Sequence, residues 1–184
     1  MKRRFFAMLL SLAMLFTLAP TAFATGGESG TPVTSGNCGA PNDENGECTN
    51  TVTWSFDSDT GTLTISGNGA MANLNNSTET ENISDGAGTY PWANLKDSIT
   101  KIVIGDGVTS IGSKAFIAYT NVTSVRIGKD VSKIGVGALS QLSACNTFEV
   151  SSENSNFTTD TTGALFDHLK TKLIAFPCGY SATT

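Results

Sequence analysis

The sequence predicts a mainly β chain, a short β-solenoid of stacked coils led by an N-terminal β-hairpin segment. Three observations carry that prediction. Apolar residues recur at a fixed offset of 23 residues in the C-terminal half. Short β-branched runs such as KIVI and SVRI are each followed by a glycine. An alternating stretch interrupted by turn chemistry, TWSFDSDTGTLTIS, precedes the first copy.

Taken in chain order, the first element is an export signal. Lys2, Arg3 and Arg4 are followed by an apolar run from Phe5 to Leu18 and by Ala22-Phe23-Ala24. A charged start, an apolar run and an A-x-A site, in that order, form a secretory signal. The run is shorter than the about 20 residues that span a bilayer as a helix. Residues 1–24 are therefore expected to be removed after Ala24, placing the rest outside the cell or on its surface. No later stretch is apolar enough for membrane insertion. Of the eleven Lys and Arg, three sit in the signal; the eight that remain face sixteen Asp and Glu, a net charge of −8. Ten of those acids lie within residues 25–97 beside Lys96 alone. That balance excludes nucleic acid as a partner, because phosphate binding needs clustered positive charge.

Residues 25–50, rich in Gly, Ser, Thr, Asn and acids, contain almost nothing to bury and read as an acidic flexible linker. Export permits disulfides, and Cys38 and Cys48 are close enough in sequence to form a local clip. With no C-x-x-C pair and His168 the sole histidine, a zinc site is not expected. Residues 51–97 read as a β-hairpin N-terminal cap region, in which Trp54, Phe56, Leu63 and Ile65 can be buried. A polar loop over 66–91 follows, ending at the anchor Pro91-Trp92.

The repeats occupy 98–184. Ile99, Ile102, Ile104, Gly105, Val108, Ile111, Gly112, Ala115 and Phe116 return as Val122, Val125, Ile127, Gly128, Val131, Ile134, Gly135, Ala138 and Leu139. This divides the segment into 98–120, 121–143 and a variant repeat with a hairpin at 144–179, which starts in phase with Cys145, Phe148 and Val150. One such coil cannot bury its apolar face alone, whereas stacked coils share a continuous core with strands about 4.8 Å apart. The spacing puts Ile102, Val125 and Phe148 in one inward column and Ile111, Ile134 and Phe157 in a second. Glycines are expected where the coil turns, through backbone conformations closed to other residues. The Ala115-Phe116 and Ala138-Leu139 pairs are expected to end a helical or 3₁₀ turn. Cys145 takes the inward position of Ile99 and Val122 and should be buried; whether it meets Cys178 is open.

The segments SITKIVIGDGVTSIGSKAF and NVTSVRIGKDVSKIGVGAL resemble BspA-like leucine-rich repeats of bacterial secreted and surface proteins. Their pattern is apolar-x-x-Ile-x-Ile, then Val-x-x-Ile-Gly, then Ala-Phe. The upstream TWSFDSDTGTLTISGNGAM, followed by the Pro-Trp pair, is similar to the β-rich segment that precedes the first repeat in the same family, and the tail SSENSNFTTDTTGALFDHLKTKLIAFPCG resembles a variant repeat with an inserted hairpin of GALFD and KLIAF. The resemblance covers 51–179 and departs at Tyr119 and Leu142, where a small residue or Cys is usual. It implies a non-enzymatic protein without a cofactor, binding a protein or extracellular-matrix ligand as an adhesin does.

Catalytic patterns are weak. His168 falls in the turn of the tail hairpin with no G-x-S-x-G elbow to partner it. Asp57, Asp59 and Gly61 resemble the start of a calcium loop but lack its later ligands, and Gly67-Asn68-Gly69 is half of a dinucleotide fingerprint. Turn chemistry explains both. The remaining candidates lie on the strand face, where residues alternating with the inward set point outward: Lys101, Ser124 and Thr147 in one column, Val103, Arg126 and Glu149 in the next. A structural spacer, or the presenting part of a secreted hydrolase whose catalytic residues lie elsewhere, is the rival expectation.

Overall fold

Parallel stacking at the 23-residue period organises the residues described by a computed structural model, 34–39, 50–72 and 90–180. Strands β5 (Lys101–Ile104), β7 (Ser124–Ile127) and β9 (Thr147–Val150) pair in parallel. Ile102, Val125 and Phe148 stand one above another, as do Ile104, Ile127 and Val150. The hairpin of β2 (Thr53–Asp57) and β3 (Thr62–Ser66) is the first rung of the same stack, because β3 lies parallel to β5 with Leu63 opposite Ile102 and Ile65 opposite Ile104. Strand β1 (Ser35–Asn37) closes the far edge against β2, giving a six-stranded front sheet in the order β1-β2-β3-β5-β7-β9. A smaller rear sheet stacks β4 (Gly69–Ala70), β6 (Val108–Ile111) and β8 (Lys133–Ile134).

Between the sheets runs one apolar core whose N-terminal end is aromatic. Trp92, fully buried, lies 5.1 Å from the Tyr90 ring and 5.8 Å from Phe116, nearly parallel to both, and meets Trp54 edge-on at 5.9 Å. These rings also close the backbone. The Trp92 indole N–H donates to the Ala115 carbonyl at 3.4 Å, and the Tyr90 hydroxyl lies 3.0 Å from the Ser113 carbonyl. The Ala115-Phe116 and Ala138-Leu139 pairs sit in tight turns closed by i→i+3 bonds, Ala115 N–H to Gly112 and Ala138 N–H to Gly135. At the corners Gly105 and Gly128 serve close approach rather than unusual dihedrals, a Cβ on Gly128 lying 2.5 Å from the Gly105 carbonyl oxygen, whereas Gly107 turns the first corner at φ 89°. Left-handed backbone also recurs at Lys114, Ala118, Gly137 and Gln141, the same two positions of successive coils.

Hydroxyl and amide side chains tie each corner to the coil before it. Thr123 Oγ1 donates to the Thr100 carbonyl, Ser132 Oγ to Thr109 and Ser143 Oγ to Thr120, every bond spanning 23 residues. The strongest of these ties is Asn154, the sole buried polar side chain among the described residues. Its Nδ2 donates to the Gly128 and Val131 carbonyls at 2.8 and 3.0 Å, while its Oδ1 accepts from the N–H groups of Asn156 and Phe157 at 2.8 Å.

In three places the structure differs from the sequence expectation. Within the segment read as linker, Ser35–Asn37 forms β1 and Cys38 is buried, where loss of solvation pushes its thiol up to about 12. Gly36 explains why: it lies over Trp54, and a Cβ there would come within 2.9 Å of the indole nitrogen. Cys48 and the signal segment lie outside the described residues. The second inward column also breaks. Ile111 pairs with Ile134, but Phe157 belongs to β10 (Phe157–Thr159), which joins β11 (Leu165–Asp167) and β12 (Leu173–Ala175) in an antiparallel sheet. Strand β8 is therefore a sheet edge, and Ile134 is half-buried rather than covered on both sides. Finally, the tail hairpin seats Leu165 fully but leaves Leu173 and Phe176 about half exposed.

Cys145 follows the expected register. It is fully buried, and burial pushes its thiol up to about 11, whereas Cys178 is exposed. Since the thiolate is the nucleophile, a thiol-reactive disulfide reagent should titrate Cys178 rapidly and Cys145 only on unfolding. Equal fast rates at both would place Cys145 outside the core.

Candidate functional site

The outward residues of the front sheet form continuous columns because parallel in-register pairing places every twenty-third residue side by side. Lys101, Ser124 and Thr147 make one column and Val103, Arg126 and Glu149 the next, Lys101, Arg126 and Glu149 being exposed and the other three half-exposed. Both columns run on through residues that the repeat pattern did not reach. Thr62 extends the first and Thr64 the second through β3, and antiparallel pairing adds Asp57 and Ser55 from β2 and Ser35 from β1. The second column thus crosses all six strands, roughly 24 Å at about 4.8 Å per strand. The alternation of TWSFD and TLTIS already marks Ser55 and Thr64 as outward; nothing in SGN marks Ser35.

The face is polar and graded in charge. Its β1–β3 end is Ser and Thr bounded by Asp57, and its β5–β9 end carries Lys101, Arg126 and Glu149. Arg126 and Glu149 are register neighbours but form no ion pair; among the described residues the single ion pair is Lys129 with Glu153 at 3.6 Å, on an exposed corner. Two free charged side chains in fixed register are available to a ligand without first breaking a bond to each other.

The acids that could suggest chemistry are engaged in turns. Asp57 Oδ2 accepts from the Thr60 hydroxyl and its Oδ1 from the Asp59 N–H; those bonds, the hydroxyl foremost, hold the carboxyl below its ordinary range. Asp160 and Asp167 are lowered in the same way, chiefly by Thr162 and Thr171. Asp106 and Asp130 accept from the Lys129 and Gly107 N–H groups, linking consecutive coils. His168 is exposed in the turn between β11 and β12. Among the described residues no three His, Cys, Asp or Glu side chains gather as metal ligands would, and no helix is long and apolar enough to cross a membrane.

A family model matches the repeat region. The family model "BspA type Leucine rich repeat region (6 copies)" matches residues 85–177, half of the chain. Two solved structures are similar. A leucine-rich repeat protein from Eubacterium ventriosum is 21% identical, covering 74% of this chain and 51% of its own, with a TM-score of 0.39. A leucine rich cell surface protein from Faecalibacterium prausnitzii is 15% identical, covering 66% of this chain and 57% of its own, with a TM-score of 0.20. The chain spans little more than half the length of either. No curated protein matches it.

Proposed function

The chain belongs to the BspA-type leucine-rich-repeat family, and from that membership we propose that it is an exported interaction module that binds a protein or extracellular-matrix ligand on its front sheet, as an adhesin. One observation carries the reading: an outward column crosses all six strands of the front sheet, and its charged members Arg126 and Glu149 are exposed. A rigid sheet of this width offers a partner many fixed positions at little ordering cost, which is the advantage repeat proteins draw from an extended face. The N-terminal signal pattern and the acidic balance support an extracellular setting. A binding role, rather than a catalytic one, is favoured because Asp57, the acid at the β2 end of the face, is held in a turn, and among the described residues Glu149 is hydrogen-bonded to no hydroxyl or thiol.

The test is adhesion of the purified chain to surfaces coated with individual extracellular-matrix proteins. Reversing Lys101, Arg126 and Glu149 together, all exposed, should leave the fold intact by circular dichroism and weaken binding about tenfold or more. Binding that is unchanged in the triple variant, or absent on every surface, would remove this reading.

A further inference from the structure

Main-chain pairing along the turn side of the coils stops one coil short. In the first coil the N–H groups of Lys114, Phe116 and Ala118 donate to the carbonyls of Val136, Ala138 and Ser140 in the second, each at 3.0 Å. The same positions of the second coil are Gly137, Leu139 and Gln141. Gly137 and Gln141, at φ 67° and 60°, repeat the left-handed backbone of Lys114 and Ala118, at 56° and 59°. Their edge is therefore shaped to hold another main chain in the way the first coil holds the second. Yet none of these three N–H groups has an acceptor among the described residues, because the chain leaves the stack at Phe157 for the antiparallel sheet.

The three groups line a cleft of about 930 Å³ between the second coil and the β12 segment. Val136, Leu173 and Phe176 border it and are 82%, 52% and 51% exposed. Its ionisable side chains are Lys133, Lys172 and the Cys178 thiol; no carboxylate lines it, in a chain of net charge −5. Lys133 has no carboxylate within ion-pair distance among the described residues, and Lys172 forms no side-chain ion pair with the nearby Asp167, whose Oδ1 accepts from the Lys172 main-chain N–H. The volume suits a short peptide. In a second copy stacked end to end, two of the three carbonyls it would offer, those of Ser113 and Ala115, already accept from Tyr90 and Trp92, whereas those of a free peptide do not.

We infer that this cleft docks an acidic peptide segment of a partner protein, laid as one added rung along residues 137–141. The partner's carbonyls accept from Gly137, Leu139 and Gln141, its carboxylates meet Lys133 and Lys172, and its apolar side chains cover Val136, Leu173 and Phe176. Main-chain bonds at an open edge supply affinity, and the flanking side chains supply selectivity. The surface is separate from the front sheet, so either can bind without the other.

The experiment titrates an end-capped, fluorescein-labelled peptide, Glu-Val-Glu-Ile-Glu-Val, into the chain, with a Lys-Val-Lys-Ile-Lys-Val peptide alongside. The expected result is saturable binding of the acidic peptide, amide shifts centred on Gly137, Leu139 and Gln141, and slower hydrogen exchange at those three groups. The double variant Lys133→Glu with Lys172→Glu should lose about tenfold or more for the acidic peptide and gain affinity for the basic one. Val136→Asp, at an exposed position that folding does not need, should weaken acidic-peptide binding to a similar degree. The inference is overturned if no saturable binding occurs, if the wild-type chain takes both peptides equally, or if the shifts fall on the front-sheet columns. It is also overturned if protection of the three amides rises with protein concentration in the absence of peptide, which would mark a contact between copies.

Discussion

Replacing Trp92 with alanine should cost about 3–5 kcal/mol, the range for removing a buried large aromatic side chain. The value belongs at the upper end because the ring does three jobs. It is fully buried, it is stacked between Tyr90 and Phe116 and meets Trp54 edge-on, and its indole N–H holds the Ala115 carbonyl of the first coil. Aromatic contacts of this kind add about 0.5–1.5 kcal/mol each beyond area burial. Against a total stability of about 5–15 kcal/mol, the loss should be readable as a large fall in the urea midpoint with little change in slope. Trp92→Phe keeps most of the packing but not the N–H, and should recover most of the loss. If the alanine variant unfolds within about 1 kcal/mol of the parent, the aromatic end is not what holds the stack at its N-terminal side.

The contrast between what the repeat pattern predicted and what it missed has a physical basis. A fixed 23-residue offset of apolar residues reports side chains that must share a core, so the Ile102-Val125-Phe148 column and the outward Lys101 and Arg126 columns are legible from residue types alone. Interactions of the main chain leave no such trace. The SGN of β1 has no alternation, and its place is set by backbone pairing with β2 and by the missing Cβ of Gly36 over Trp54. Likewise, Phe157 has the size and phase of an inward residue in a third coil, but the Asn154 hydrogen bonds and the hairpin that follows redirect it into an antiparallel sheet. The cleft beside Gly137, Leu139 and Gln141 is the consequence. It could not be read from the sequence, because it arises where a pattern that continues in residue type stops in backbone pairing.

Asn154 should be the most sensitive polar position in the chain. Substitution by alanine removes two donors and one twice-used acceptor, leaving the Gly128 and Val131 carbonyls and the Asn156 and Phe157 N–H groups to find other partners beneath a buried side chain. With each stranded buried group costing about 1–3 kcal/mol and partial access to water relieving some, the expected loss is about 3–4 kcal/mol. Aspartate separates the hydrogen-bond explanation from simple packing, because it preserves shape and acceptor while replacing the amide donor. At neutral pH its carboxylate would face two carbonyl oxygens in a desolvated position, which favours the protonated form and raises the folded-state pKa above the about 3.9 of an unfolded Asp. A group raised in this way stabilises the fold fully below its unfolded pKa and loses that contribution as pH rises through the folded value. Wild-type stability moves the other way over the acid range, since Asp57, Asp160 and Asp167 are held below their ordinary values and their contribution is lost as pH falls. The quantity to measure is therefore the stability difference between Asn154→Asp and wild type, by urea unfolding from pH 7 downward. It should be large at pH 7 and shrink as the solution is acidified, because the introduced carboxyl, once protonated, can again donate to one of the two carbonyls. A difference that stays constant with pH, or an alanine variant as stable as the parent, would mean that the third coil is held by its apolar contacts alone.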